Sequence, residues 1–178
     1  MAEPVLLPRA LNAGLVSGAL AAALAVSPSL WFGVVDTRPA EYAALLAVLV
    51  GTHLGLRAAT ATQPAASFNQ RLVAAAVIAL SACLILGVAL YALYALWRPA
   101  LLAARYERLL EPLTGRMAGP RAVAQLADLS ARQAQHLDPL YQAVSGAVTP
   151  LFFALLLGGY SVFRWRVAQR LRAGRPGR

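Results

Sequence analysis

The sequence predicts an all-α, polytopic integral membrane protein with four transmembrane helices and a short helical extramembrane segment between the third and fourth. Three observations lead there. Of 178 residues, 60% are hydrophobic and only 13% charged, against about 25% charged in an ordinary soluble domain. The mean hydropathy is +0.62. The charges are also clustered, so that long uncharged tracts alternate with groups of arginines. A soluble fold with so little polar material could not solvate its own surface.

A spanning helix needs about 20 mostly apolar residues, each adding ~1.5 Å across a hydrocarbon core of ~30 Å. The first tract runs from Leu11 to Val35 without a charge, interrupted by Pro28. A secretory signal is the competing description, because Arg9 precedes the tract and Ala23-Leu24-Ala25 resembles a small-residue cleavage site. The tract continues through Trp31 and Phe32, longer than the apolar region of a signal, so an uncleaved span over 11–35 is expected.

The second tract is shorter. Tyr42 to Leu56 is uncharged between Glu41 and Arg57, too short to cross alone, and a span over 40–58 requires those end charges to reach the headgroups. The third, Leu72 to Trp97, is uncharged throughout and predicts a span over 71–97. The fourth, Ala143 to Phe163, is again uncharged, has Pro150 in its first half and predicts a span over 143–163. A basic tail, 164–178, follows, and the whole chain reads as one membrane domain.

Between the third and fourth spans lies the connection 98–142. Leu101, Leu102, Arg105, Tyr106, Leu109, Leu110 and Leu113 recur at helical spacing, with Arg108 and Glu111 off that stripe, as in an amphipathic helix. Gly119-Pro120 breaks the chain, and Val123, Leu126, Leu129 and Leu137 mark a second, weaker one. Pro99 and Pro120 suit first-turn helix positions.

The charge balance orients the spans. Sixteen arginines and no lysine face seven acidic residues, for a net charge of +9 and a pI near 11.0. Such basicity raises nucleic-acid binding, but these arginines sit at the ends of apolar tracts, where they anchor a span; no nucleic-acid partner is expected. Both termini on the cytoplasmic side of a bacterial inner (plasma) membrane would place Arg9, Arg57, Arg71 and the six tail arginines inside, as the asymmetry of basic loops favours. The all-arginine, alanine-heavy usage fits a GC-rich bacterial genome. Trp31, Tyr42, Tyr91, Tyr94, Trp97 and Tyr141 would then line the outer interface, and Phe68 and Trp165 the inner one.

Few residues point to chemistry. His53 and Arg57 lie four apart and share a helix face near the inner end of the second span. An intramembrane ionisable pair is a functional candidate, as a proton relay or a grip on a headgroup phosphate; the preferred reading is a neutral histidine at the interface, bonded to a backbone carbonyl or to Thr52 or Ser17. Gly14-x-x-x-Gly18, continued by Ala22, and Gly51-x-x-x-Gly55 are small-residue seams that let helix backbones approach closely. They serve packing within the bundle or dimerisation, and internal packing is preferred. Pro28 and Pro150 predict kinks, each beside a hydroxyl. Cys83 stands alone, and no Cys/His spacing suggests a metal. Walker, HExxH, GxSxG and GxGxxG patterns are missing, and His136 and Asp138 read as turn residues. No enzyme, cofactor or metal is expected.

Taken in order, several features define a likeness. Asn12-Ala13-Gly14-Leu15-Val16-Ser17-Gly18 opens the first span, and Gly55-Leu56-Arg57 ends the second. Ala66-Ser67-Phe68-Asn69-Gln70 leads into the third, which closes on Tyr91-Ala92-Leu93-Tyr94-Ala95-Leu96-Trp97 with Pro99 after it. A helical hydrophilic connection, a last span and a basic tail complete the pattern. Over nearly its whole length the chain resembles the uncharacterised bacterial membrane family "domain of unknown function 4199". The resemblance implies a four-span membrane topology and carries no activity or catalytic residue with it. Beyond the lipid bilayer itself, the expected partners are a homo-oligomer or another membrane protein, with the chain acting as a non-enzymatic partner or assembly protein. The alternative is a small transporter or lipid-handling protein, acting as an oligomer, with His53, Arg57 and the proline kinks lining a polar path.

Overall fold

A computed structural model of the protein describes residues 6–114 and 120–173. The regular structure of the described residues is entirely helical, without a strand. Its elements are α1 (Leu6–Phe32), α2 (Arg38–Ala61), α3 (Phe68–Ala92) extended by a π-helical turn (Leu93–Trp97), α4 (Ala100–Thr114), α5 (Pro120–Ala131), α6 (Gln133–Leu137) and α7 (Pro139–Ala173). Four of these, α1, α2, α3 with its π turn, and α7, are long and apolar enough to cross a membrane.

The helices run alternately up and down, so the start of α1 and the end of α7 lie at one end of the bundle, here the terminal end. The α1–α2 loop and the α4–α6 segment lie at the other, the connection end. α3 packs against α1, α7 and α2, whereas α1 and α7 stand on opposite sides of the bundle. The core is built largely from alanines: Ala21, Ala25, Ala44, Ala79, Ala82 and Ala154 are buried around Val48, Leu86 and Leu93. Small side chains suit helices that associate by close van der Waals packing rather than by burying bulky residues.

Local signals explain the helix ends. α1 stops where Gly33 adopts φ +64°, a left-handed conformation that glycine reaches without strain. Ser29 Oγ there donates to the Val34 carbonyl at 2.9 Å, and Val34 N–H donates to the Pro28 carbonyl at 3.2 Å. α3 opens with a reciprocal cap: Gln70 N–H donates to Ser67 Oγ at 3.3 Å, and Ser67 N–H donates to Gln70 Oε1 at 2.8 Å, the capping-box pattern. At the start of α7 the Leu140 N–H donates to Asp138 Oδ1 at 2.8 Å, with Pro139 in the first turn, where its missing N–H costs nothing.

Several boundaries differ from those expected. The first helix begins at Leu6 and ends at Phe32, short of Val35. The second is 24 residues long, Arg38–Ala61, and exceeds the expected 40–58 by Arg38 and Pro39 at its start and by residues 59–61 at its end. α7 begins at Pro139 and continues without a break to Ala173, so residues 164–173 of the expected basic tail are helical. Nothing before Gly174 interrupts that helix, and arginine is a good helix former; residues 174–178 lie outside the described residues, as does the Gly119 half of the Gly119-Pro120 break. Pro28 and Pro150 are both accommodated inside continuous helices.

The four seam glycines sit at helix crossings. A Cβ at Gly14 would collide with Ser81 Oγ and stand 2.7 Å from the Ile78 carbonyl oxygen, and one at Gly18 would stand 2.7 Å from the Ala82 carbonyl oxygen. Both mark the α1–α3 crossing. A Cβ at Gly51 would collide with Ser17 Cβ, and one at Gly55 would lie 2.6 Å from Ala13 Cβ, marking α1–α2. The two crossings differ in what blocks them. At Gly51 the obstruction is a side chain, so Gly51→Ala is expected to destabilise the bundle by about 1–3 kcal/mol, the usual range for overpacking. Adding Ser17→Gly should recover most of that loss, and thermal unfolding of the two single variants and the double gives the coupling directly. Additive losses would mean that the two residues are not in contact.

Candidate functional site

At the terminal end a cleft of about 170 Å³ opens between α2, α3 and α7, lined by His53, Leu56, Arg57, Thr60, Arg71, Ser161, Val162 and Trp165. His53 and Arg57 both lie exposed on α2, one turn apart, so the cleft contains the polar pair expected from the sequence. His53 meets neither Thr52 nor Ser17 through its ring; its contact is Ser161 Oγ on α7, 3.5 Å from Nδ1. The Arg57 side chain has no hydrogen-bond or ion-pair partner among the described residues.

Three members of the cleft escape sequence reasoning. Arg71, one turn into α3, is only 5% exposed. Its Nε donates to the Ala66 carbonyl at 3.1 Å and its Nη2 to the Pro64 carbonyl at 2.9 Å. Its guanidinium carbon lies 3.8 Å from the centre of the Trp165 ring, in the range of a cation–π contact. The arginine therefore ties the α2–α3 loop to α7. Beside it, Arg166 lies over Phe68 at 4.8 Å, so Phe68 and Trp165 are both half-buried under arginines. Ser161 and Trp165 carry no motif; only the pairing of α2 with α7 brings them to His53 and Arg71.

Behind the cleft, Thr52 is fully buried and its Oγ1 has no hydrogen-bond partner among the described residues. A buried hydroxyl left unpaired costs about 1–3 kcal/mol. The near-isosteric Thr52→Val is therefore expected to raise stability by about 1 kcal/mol, seen as a higher midpoint of thermal unfolding in detergent. A lower midpoint would show that the hydroxyl holds a partner.

The connection end carries a second polar cluster. Arg105 of α4 forms an ion pair with Glu41 of α2 at 2.9 Å and donates to Tyr94 Oη at 2.8 Å, while Thr37 Oγ1 donates to Glu41 Oε1 at 2.7 Å. Glu41 is thus neutralised by a partner from a distant part of the chain rather than by reaching headgroups alone. The same network corrects the expected position of Tyr94. Unlike the exposed Trp31, Tyr42, Tyr91, Trp97 and Tyr141, Tyr94 is buried, because it follows Leu86 and Leu90 on the core-facing side of α3. His136, in α6, lies with its ring centroid 5.9 Å from that of Tyr106; Asp138 caps α7. Cys83 is buried in the core as a free thiol.

Apolar surface is extensive elsewhere. A groove of about 800 Å³ runs between α3 and α7, walled by residues such as Leu80, Leu84, Val88, Val144, Val148 and Leu151. In the apolar stretch of α7 only 17% of residues are buried, compared with 44% in that of α1. Among the described residues no cluster of His, Cys, Asp and Glu has the makings of a metal site.

No protein-family model matches the chain, nor does any curated protein or solved structure.

Proposed function

We propose that this protein is a multi-pass protein of a bacterial inner membrane, with both termini cytoplasmic, that acts without catalysis as a partner or assembly factor for another membrane protein. The membrane placement is supported by large apolar residues exposed on all four long helices, among them Val16, Leu46, Leu84 and Phe152. A water-soluble protein rarely exposes apolar patches above a few hundred Å². The orientation is supported by the arginines. Among the described residues Arg9, Arg57, Arg71, Arg164, Arg166 and Arg170 lie at the terminal end and Arg38, Arg98, Arg105, Arg108 and Arg132 at the other; the terminal-end arginines flank the spans in short segments, where basic residues count most in assigning the cytoplasmic side. The family resemblance adds the same four-span topology.

The observation that carries the partner reading is the sparse burial of α7. A span that contributes so little to its own bundle leaves one face, with the α3–α7 groove beside it, for a helix of another protein. Transport is the less supported reading. His53 lies at the terminal end, while Pro28 and Pro150 lie toward the connection end and α1 does not pack on α7, so a path joining them would have to form between copies.

A photo-reactive residue at Val148 in the groove, compared with one at Val16 on the exposed face of α1, tests the proposal in native membranes. Discrete protein adducts at Val148 and none at Val16 are expected. Lipid adducts alone at both positions would overturn it. Reporter fusions at each terminus test the orientation separately.

A further inference from the structure

The charge of the bundle is divided between its ends. The described carboxylates, Asp36, Glu41, Glu107, Glu111, Asp128 and Asp138, all lie toward the connection end, whereas six described arginines lie at the terminal end without a carboxylate among them. Such a cationic surface attracts anions in general. The cleft at His53 adds geometry to that attraction. Arg57 brings a guanidinium that no described residue pairs with, and Arg71 brings a second that cannot swing away. Its Nε and Nη2 are committed to the Ala66 and Pro64 carbonyls and its plane lies against Trp165, which leaves Nη1 uncommitted. His53, one turn before Arg57 on α2, adds an imidazole, and Ser161 of α7, 3.5 Å from it, adds a hydroxyl. Two guanidiniums with an imidazole and a hydroxyl beside them are the chemistry that grips phosphate oxygens, since charge-assisted bonds to them are the strong ones.

The surroundings favour a phosphate carried on a lipid. Leu46 and Val50 are exposed, and they precede His53 by seven and three positions on the same face of α2. An apolar track therefore leads from the cleft toward the middle of the helix, where an acyl chain would lie while its phosphate sat among the arginines. The cleft, about 170 Å³, offers several times the ~30 Å³ of a water molecule, room enough for a headgroup phosphate.

We propose that the cleft between α2, α3 and α7 binds the phosphate of an anionic phospholipid, with Arg57 and Arg71 as its charge partners and His53 and Ser161 as its hydrogen-bond partners. This inference rests on the membrane placement proposed above and is independent of any protein partner.

The full chain, purified in mild detergent, is titrated with phosphatidylglycerol, with phosphatidylcholine and with inorganic phosphate, and bound species are read by native mass spectrometry. One phosphatidylglycerol per chain is expected, retained at least about tenfold more tightly than phosphatidylcholine. Arg57→Gln should weaken it by about tenfold, and Ser161→Ala by a smaller factor. Arg164→Gln, which removes an arginine outside the cleft at the same end, should change it less than about twofold, a mainly long-range effect that salt screens. Equal losses for Arg57→Gln and Arg164→Gln would replace the site with a diffuse basic surface and overturn the proposal. So would equal retention of phosphatidylcholine, absence of any bound lipid, or inorganic phosphate binding as tightly as the lipid. Because Arg57 is exposed and unpaired, its variant should unfold at the wild-type temperature; a loss of binding accompanied by a fallen midpoint is repeated with Arg57→Lys, which should retain at least half of the binding if charge at this position holds the lipid, and retention below that would overturn the proposal. Alkaline carbonate extraction of the membranes tests the membrane placement on its own, so failure there is told apart from failure of lipid binding.

Discussion

Gly18→Leu is expected to abolish the native bundle. A Cβ at this position would stand 2.7 Å from the Ala82 carbonyl oxygen, 2.8 Å from Ala82 Cα and 3.1 Å from Ile85 Cβ. Two of those atoms are main chain, so no rotamer change on α3 opens space, and truncating Ala82 to glycine leaves the carbonyl where it is. Leucine adds three carbons beyond that Cβ. The strain can be released only by moving α1 off α3, the most extensive helix pairing in the protein. Overpacking a soluble core costs about 1–3 kcal/mol, and this case belongs at or above the top of that range. Gel filtration in mild detergent should show aggregated or broadened material, with the thermal midpoint lowered by many degrees. Val16→Leu, on the exposed face of the same helix, should change neither measurement. A Gly18→Leu variant that eluted and melted like the wild type would mean that α1 and α3 do not cross here.

This contrast between Gly18 and Gly51 also shows what the sequence reveals and what it withholds. A spacing of four between small residues marks where a backbone can be approached, because residues three or four apart share a helix face. It does not say which helix approaches. Gly14 and Gly18 face α3, and Gly51 and Gly55 face α1; that assignment depends on the rotation of three helices about their axes. The number of long apolar helices was legible for a simpler reason, since hydrocarbon length and uncharged tract length are compared without regard to partners. Their ends were harder. The expected 40–58 falls short of α2 by Arg38 and Pro39 at one end and by 59–61 at the other, and residues 164–173 stay helical because a span boundary is not a helix boundary. Tyr94 reads as one more interfacial aromatic until the phase of α3 turns it inward. The cleft was half legible: His53 and Arg57 are neighbours in sequence, while Arg71, Ser161 and Trp165 reach them only through the fold.

Arg71→Met is expected to loosen the terminal end more than any other single change there. Counted in the sequence, Arg71 is one positive charge near a span end; in the structure it is a strut. Its loss leaves the Ala66 carbonyl, which is buried with it, and the part-buried Pro64 carbonyl without their donors. An unpaired buried acceptor costs about 1–3 kcal/mol, less where water can enter, and a cation–π contact adds about 0.5–2 kcal/mol. A total of about 3 kcal/mol follows, concentrated in the 62–67 loop and its attachment to α7. Methionine keeps the length and the apolar stem, so the loss reports on the guanidinium and not on a cavity. Thermal unfolding in detergent should show the lower midpoint, and limited proteolysis should show new cleavage within 62–67. Trp165→Leu should lose less, and the double variant should lose less than the sum, since both remove the same contact. Arg71→Lys separates charge from geometry. An ammonium cannot donate along two directions while lying flat against an indole, so lysine should rescue little. Wild-type stability in Arg71→Lys would mean that the charge alone matters and that the loop is held by something else.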